Sequence, residues 1–351
     1  MKVTPSVLRI LDANGNRAIE AVRVIEESLR FSRNDALLSR ECKALRHHLC
    51  RHVEVLRVRH GVEVMRDTSA DVGVDIQGPN ETHRASLTDL VMANFSRLKE
   101  ALRCLEEYTK LVDVELAGFF EGLRYEAYEL ERAMRVTMIA EDRLANVQIY
   151  ALVDADETFE SRVRELAKRV DAIQLLYKRL DDATLLLRAR QLVEICRGKC
   201  LSIINDRCDI GLLAGADGVH VGQEDLPVAD ARRLCGPQMI VGASTHSIEQ
   251  ARQAVLAGAT YIGVGPVFPS GTKTFEEFPG LDLVSAVAGE INRPAFAIGG
   301  INGDNIQQVV QAGLNRVAVS GALAEDAATT LEAMRAALGP RPEGGTADES
   351  A

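Results

Sequence analysis

The chain has 351 residues, 46% of them hydrophobic, and its 51 acidic side chains against 41 basic ones give a net charge of −10. That length suits two domains of about 100 to 200 residues each, and the acid surplus argues against a nucleic-acid surface, which needs clustered Lys and Arg. No run of about 18 apolar residues is long enough to span a bilayer and no basic-then-apolar leader opens the chain, so small-molecule partners, no membrane and a cytoplasmic location are expected.

Seven cysteines scattered through apolar and helical stretches do not form a disulfide framework, and free thiols are expected. Aromatic residues make up 4% of the chain and Trp is absent, so any ring ligand must be held mainly by apolar side chains. Whether copies of the chain assemble into a homo-oligomer is left open.

From Pro5 to about Met138 apolar residues such as Val22, Ile25 and Leu29 recur at helical spacing. The segment also repeats itself. Asn14, Arg17, Glu20, Ala21, Arg23, Glu26 and Glu27 return as Asn94, Arg97, Glu100, Ala101, Arg103, Glu106 and Glu107, and Leu45-Arg46 is echoed by Leu123-Arg124. Residues 1–140 therefore read as an all-α domain, two helical hairpins forming a four-helix bundle, with Arg66 to Gly78 joining them. The repeated Arg and Glu residues read as i, i+3 salt bridges on a solvated helix face. His48 and His52 are spaced i, i+4, but a metal site needs further ligands.

After Ala140 the pattern changes to short β-branched runs separated by amphipathic segments. Eight runs can be counted: Gln148 to Val153, Ala172 to Lys178, Cys200 to Asp206, Gly218 to Gly222, Ile240 to Ser244, Tyr261 to Val267, Pro294 to Gly300, and Arg316 to Ser320. Eight strands with intervening helices in residues 141–338 predict an α/β domain, a (β/α)8 TIM barrel with a parallel sheet. Residues 339–351, rich in Pro, Gly and acids, read as a disordered tail.

A TIM barrel carries its site at the C-terminal ends of its strands, and those ends are unusually polar here. Asp206 and Asp225 close the third strand and follow the fourth; one carboxylate from each suits a hard cation such as Mg²⁺, with positions left for phosphate oxygens. Helix and turn capping is the plainer role for both. Ser270-Gly271-Thr272-Lys273 after strand six offers hydroxyls, backbone amides and an ammonium for a pyrophosphate. Gly299-Gly300 after strand seven and Val319-Ser320-Gly321 after strand eight can bring amides close to a second phosphate, or simply make tight turns.

Four motifs in order carry a resemblance: Ile203-Ile204-Asn205-Asp206-Arg207, Ala216 to Asp225 (ADGVHVGQED), Gly263 to Pro269 (GVGPVFP), and Ala297-Ile298-Gly299-Gly300-Ile301. They resemble the thiamine-phosphate synthase family along most of the barrel. The resemblance implies a transferase that joins 4-amino-2-methyl-5-hydroxymethylpyrimidine diphosphate to 4-methyl-5-(2-phosphoethyl)thiazole and releases pyrophosphate. It implies Mg²⁺ on Asp206 and Asp225, with Gln174, Asn205 and Ser244 around the pyrimidine and Lys178 and Lys273 against its diphosphate. Ser270, Thr272, Gly300, Val319 and Ser320 would contact the thiazole phosphate, and Lys178, Lys273 and Ser244 would carry catalysis.

One departure is Leu176, standing where the family's Gln-x-Arg-x-Lys pattern has arginine; Arg207, Lys178 or Arg179 are candidates to compensate. Two other functions fit the same barrel: a thiazole tautomerase using His246 for proton transfer, and a non-catalytic thiamine-precursor-binding protein. The helical half is similar to a domain attached to such synthases in some bacteria and associated there with phosphorylating the pyrimidine monophosphate, although it has no Gly-x4-Gly-Lys-Ser/Thr loop. If its repeated residues act on a ligand, Asn14, Arg17, Asn94, Arg97 and Arg66-Asp67-Thr68 are the candidates.

Overall fold

The computed structural model describes residues 4–62, 84–177, 180–269, 278–323 and 326–340. They fall into two compact units, Met1–Met134 and Arg135–Ala351. The first is helical: α1 (Pro5–Glu27), extended by a π-helical turn (Ser28–Ser32), α2 (Ala36–His60), α3 (Leu87–Thr109) and α4 (Val114–Leu144), whose last turns belong to the second unit.

Local chemistry sets the helix ends. Pro5 opens α1, where its missing N–H costs nothing. The Asp35 and Ser86 side chains accept from the amides of Leu38 and Asp89 at the starts of α2 and α3. Gly61 ends α2 in the left-handed region, φ 66°. The apolar stripe of α1, with Leu11, Ala18, Val22 and Ile25, is buried, and α1 packs against α2 and α3.

The repeat is structural. Asn14 and Asn94 each donate from Nδ2 to the carbonyl four residues back, Ile10 at 2.9 Å and Leu90 at 2.8 Å. Arg46 of α2 donates to Glu26 of α1 at 2.5 Å, and Arg124 of α4 donates to Glu106 of α3 at 2.9 Å. The i, i+3 pairs expected are present, Arg23–Glu26 at 3.8 Å and Arg103–Glu106 at 2.6 Å, but the glutamates do not lie on a solvated face. Arg23–Glu27 and Arg103–Glu107 are exposed pairs, but Glu26 and Glu106 are 1% and 2% exposed and bind arginines on neighbouring helices. A buried carboxylate persists only when such a partner compensates its lost hydration. His52 donates from Nδ1 to the His48 carbonyl and stacks on Phe119, with ring centroids 4.5 Å apart. The proposed connection Arg66 to Gly78, including Arg66-Asp67-Thr68, lies outside the described residues.

The second unit is a closed barrel of eight parallel strands in sequence order, with β8 returning to β1. The strands are β1 (Ile149–Asp154), β2 (Ala172–Leu176), β3 (Leu201–Asn205), β4 (Gly218–Val221), β5 (Ile240–Thr245), β6 (Tyr261–Val264), β7 (Ala295–Ile298) and β8 (Val317–Val319). Between them come α5 (Phe159–Leu166), α6 (Asp182–Cys196), α7 (Cys208–Ala214), α8 (Val228–Cys235), α9 (Ile248–Ala257), α10 (Gly280–Glu290) and α11 (Ile306–Gln311), and α12 (Ala327–Leu338) follows β8. Several strands stop short of the sequence expectation. β3 ends at Asn205 because Asp206 turns to φ 55°, and β7 ends at Ile298 because Gly299 turns to φ 101°. The polar residues assigned to those strand ends therefore begin the βα loops.

The barrel interior is packed with Tyr150, Ala172, Ile203, Ile240, Tyr261, Phe296 and Ala318. The rings of Tyr150, Tyr261 and Phe296 meet edge-on, with centroids 5.4–5.7 Å apart, a favoured aromatic geometry. Below them a side chain preceding each of three even strands satisfies the start of the strand before it. Asp171 accepts from the amides of Gln148 and Ile149, Asp217 from Ser202, and the Thr260 hydroxyl from Val241. Arg316 donates to the carbonyls of Leu144, Ala145 and Val147, tying the end of α4 to the barrel floor. All seven cysteines are free. No described helix is long and apolar enough to cross a membrane.

Candidate active site

The C-terminal ends of β2 to β5 bring together most of the described candidates. Gln174 of β2 is buried and its Nε2 donates to Oδ1 of Asn205 at the end of β3. Asp206 follows at φ 55°, a conformation that asparagine and aspartate tolerate better than other side-chain-bearing residues. Its amide donates to the His220 carbonyl at 2.7 Å, which fixes the start of the β3–α7 loop against β4. Asp225 sits in the turn after β4, where its Oδ2 accepts from the Gly222 amide at 2.7 Å.

Tyr177 is the residue after β2. Burial and then the carboxylate of Asp206, with Asp225 adding to it, push its hydroxyl above the usual phenol range against the opposing charge of Arg207. Asp206 and Asp225, after adjacent strands, offer hard carboxylate oxygens. Two carboxylates suit magnesium, which keeps several waters and takes phosphate oxygens to complete its shell.

Ser244, near the end of β5, begins a hydrogen-bond chain that runs from half-buried side chains into the buried core. Its Oγ is 2.9 Å from His220 Nε2, His220 Nδ1 is 2.9 Å from the Tyr261 hydroxyl, and that hydroxyl is 2.8 Å from the Tyr150 hydroxyl. The Gln223 side chain donates to the Ser244 carbonyl at 2.5 Å. Burial pushes both phenols above their usual range, so each keeps its proton. Gly242, on the strand beside Tyr261, makes room for that ring: a Cβ there would lie 2.1 Å from Tyr261 Cζ.

On the opposite side, Gly299 and Gly300 have φ of 101° and 65°. A Cβ on Gly300 would lie 2.6 Å from the Pro269 carbonyl oxygen, and one on Gly299 2.8 Å from Pro266 Cα. The pair thus admits the backbone that leads into the loop after β6, which Phe268 secures by donating its amide to the Gly299 carbonyl at 3.0 Å. Val319 ends β8, and Ser320 accepts from the Leu323 amide at 3.0 Å in the turn that follows. His246 is bound through Nδ1 to the Gly265 carbonyl at 2.5 Å.

Lys178, Arg179, Ser270, Gly271, Thr272 and Lys273 lie outside the described residues. The Arg207 guanidinium is held by Asp209 at 2.7 and 2.9 Å and by Asp182 at 2.6 Å. Sequence reasoning missed His220, Tyr261 and Tyr177. His220 stood inside a quoted motif as an inward residue of an apolar strand. Only the alternation of β4 hinted that it points into the barrel.

Two family models match the chain: "Thiamine monophosphate synthase" over residues 149–323 and "ThiD2 family" over residues 9–133. The chain is 45% identical to a thiamine-phosphate synthase of Rhodopirellula baltica, over 91% of this chain and 88% of the relative. It is 44% identical to one of Gloeobacter violaceus, over 92% of this chain and 94% of the relative. Among solved structures, a thiamine phosphate pyrophosphorylase from Pyrococcus furiosus is 32% identical with a TM-score of 0.50, covering 56% of this chain and 97% of its own. The relatives thus span both units, and the solved structure matches little more than half the chain. On the barrel, the ordered strand-end residues and these matches, the chain belongs to the thiamine-phosphate synthase family.

Proposed function

We propose that this synthase works at the mouth formed by Gln174, Asn205, Asp206, Asp225 and Ser244, with Mg²⁺ as cofactor. The observation that carries the proposal is that Asp206 and Asp225 follow β3 and β4, neighbouring strands, at the C-terminal end of the barrel. Asp206 and Asp225 would hold the ion, which when bound supplies positive charge against a leaving diphosphate. Gln174, Asn205 and Ser244 orient the pyrimidine ring. Lys178 and Lys273 neutralise its diphosphate, while Ser270, Thr272, Gly300, Val319 and Ser320 hold the thiazole phosphate.

In the reaction, the C–O bond to the diphosphate breaks with its electron pair leaving on pyrophosphate. The pyrimidine methylene carries the positive charge, delocalised by its amino group, and the thiazole nitrogen then forms the C–N bond. No side chain acts as nucleophile, so catalysis rests on charge stabilisation and on holding the two rings in line. The residues present fit these tasks except at Leu176, whose apolar side chain removes one charge-assisted contact. Such a contact is worth about 1.5–3 kcal/mol.

For the helical unit, which matches the ThiD2 family over residues 9–133, we propose the role that the resemblance suggests, phosphorylation of the pyrimidine monophosphate. The full chain incubated with that monophosphate and ATP should then form the diphosphate, and its absence would count against this role. For the barrel, turnover that is lost on removing Mg²⁺ with a chelator and restored by adding it back supports the assignment. Chelator-insensitive turnover would remove Asp206 and Asp225 from the role given them.

A further inference from the structure

We infer that His220 and Tyr261 are positioning residues that fix the Ser244 hydroxyl as a hydrogen-bond donor toward an acceptor atom of the pyrimidine diphosphate, a ring nitrogen or a phosphate oxygen. The inference rests on the reading that Ser244 faces that substrate. It follows from the direction in which the four-member chain must run.

Each link joins groups that can donate or accept, so two directions are open. In one, Ser244 donates to His220 Nε2, His220 Nδ1–H donates to Tyr261, and Tyr261 donates to Tyr150. The Tyr150 proton then has no acceptor, because Tyr261 is the hydroxyl's sole polar partner among the described residues and Tyr150 is buried in the barrel core. A buried O–H with no acceptor forfeits its hydration with nothing in return.

In the other direction Tyr150 donates to Tyr261, Tyr261 to His220 Nδ1, and His220 Nε2–H to Ser244 Oγ. Every proton within the chain then has an acceptor. The Ser244 proton is left over, on a side chain at the barrel mouth. The buried end of the chain therefore selects the second direction, and with it the Nε2–H tautomer of a neutral His220. The packing holds it there: Tyr261 is wedged edge-on between Tyr150 and Phe296, and Gly242 leaves the ring its space.

In this direction Ser244 has its proton to offer to a ring nitrogen or phosphate oxygen, with one of its two lone pairs taken by His220.

The test uses the full-length, unliganded protein labelled with ¹⁵N at histidine, with the His220 ring signals assigned from their loss in His220→Gln. A pyrrole-type Nε2 and a pyridine-type Nδ1 are expected. The reverse tautomer, or a doubly protonated ring, would overturn the inference whatever the kinetics. Tyr261→Phe removes the donor to Nδ1 without shortening the ring. It should release the tautomer and lower kcat by about tenfold or more, with KM changing less, a factor equal to about 1.4 kcal/mol of transition-state stabilisation.

His220→Gln, whose amide can still donate to Ser244, should retain several-fold more activity than His220→Ala. Equal activity of the two variants, or an unmoved tautomer in Tyr261→Phe, would refute the positioning role. Ser244→Ala with wild-type kcat/KM would refute the donor contact to substrate even if the tautomer is as expected, which separates failure of the relay from failure of the site.

Discussion

Gly242→Ala asks whether the interior of the barrel is as tightly specified as the polar chain requires. Gly242 pairs with Tyr261 across β5 and β6, and an added Cβ would sit 2.1 Å from Cζ and 2.4 Å from the hydroxyl of that tyrosine. The ring has no retreat, being 1% exposed and edge-on against both Tyr150 and Phe296. Overpacking a core typically costs about 1–3 kcal/mol. Moving the hydroxyl also disturbs its bonds to Tyr150 and His220, each worth about 1 kcal/mol net. The variant should therefore lose about 3–5 kcal/mol of stability. Urea unfolding followed by far-UV circular dichroism reads this directly; the chain has no tryptophan to report by fluorescence. A change within about 0.5 kcal/mol, the range of an ordinary surface substitution, would show that Tyr261 is loosely held and would refute the reasoning.

The buried pairs of the helical unit give a second prediction. Glu106→Ala leaves Arg124 without its carboxylate and should cost about 3–5 kcal/mol, and Glu26→Ala should do the same to Arg46; thermal unfolding of each variant checks both. Burial alone would raise the Glu106 carboxyl, but the bonds from Arg124 and Arg103 outweigh it and hold it below its ordinary value of 4.5. Its contribution is therefore complete above that value and lost as the pH falls through the lower, folded value. Acid titration should find Glu106→Ala less pH-sensitive than wild type in that window.

At the barrel mouth, Asp206→Ala and Lys273→Ala should each abolish turnover with unchanged circular dichroism, and normal activity in either would remove that residue from the site. Leu176→Arg should raise the rate by restoring a diphosphate contact. An unchanged or lower rate would mean that another group fills the role.

The strands were legible because β-branched runs broken by helical spacing have few other interpretations, and the bundle because its repeat keeps one offset through seven positions. The strand ends were less so. A residue such as Asp206 can end a strand by turning to positive φ, which no apolar pattern records. Burial of Glu26 and Glu106 was misread because their partners Arg46 and Arg124 are 20 and 18 residues away, beyond the i, i+3 and i, i+4 neighbours that a helix sequence displays. The His220–Tyr261–Tyr150 chain links β4, β6 and β1, and only closure of the barrel brings those strands' inward side chains together. Asp206 and Asp225 were legible as strand-end residues because the topology of a TIM barrel fixes which ends of its strands carry a site.

The most direct measurement incubates the purified full-length protein with the pyrimidine diphosphate, the thiazole phosphate and Mg²⁺, and quantifies thiamine phosphate and pyrophosphate together. Equal amounts of the two products are expected, with both absent in Asp206→Ala. No pyrophosphate from a protein that still binds both substrates would contradict catalysis at these strand ends and leave a binding protein in its place.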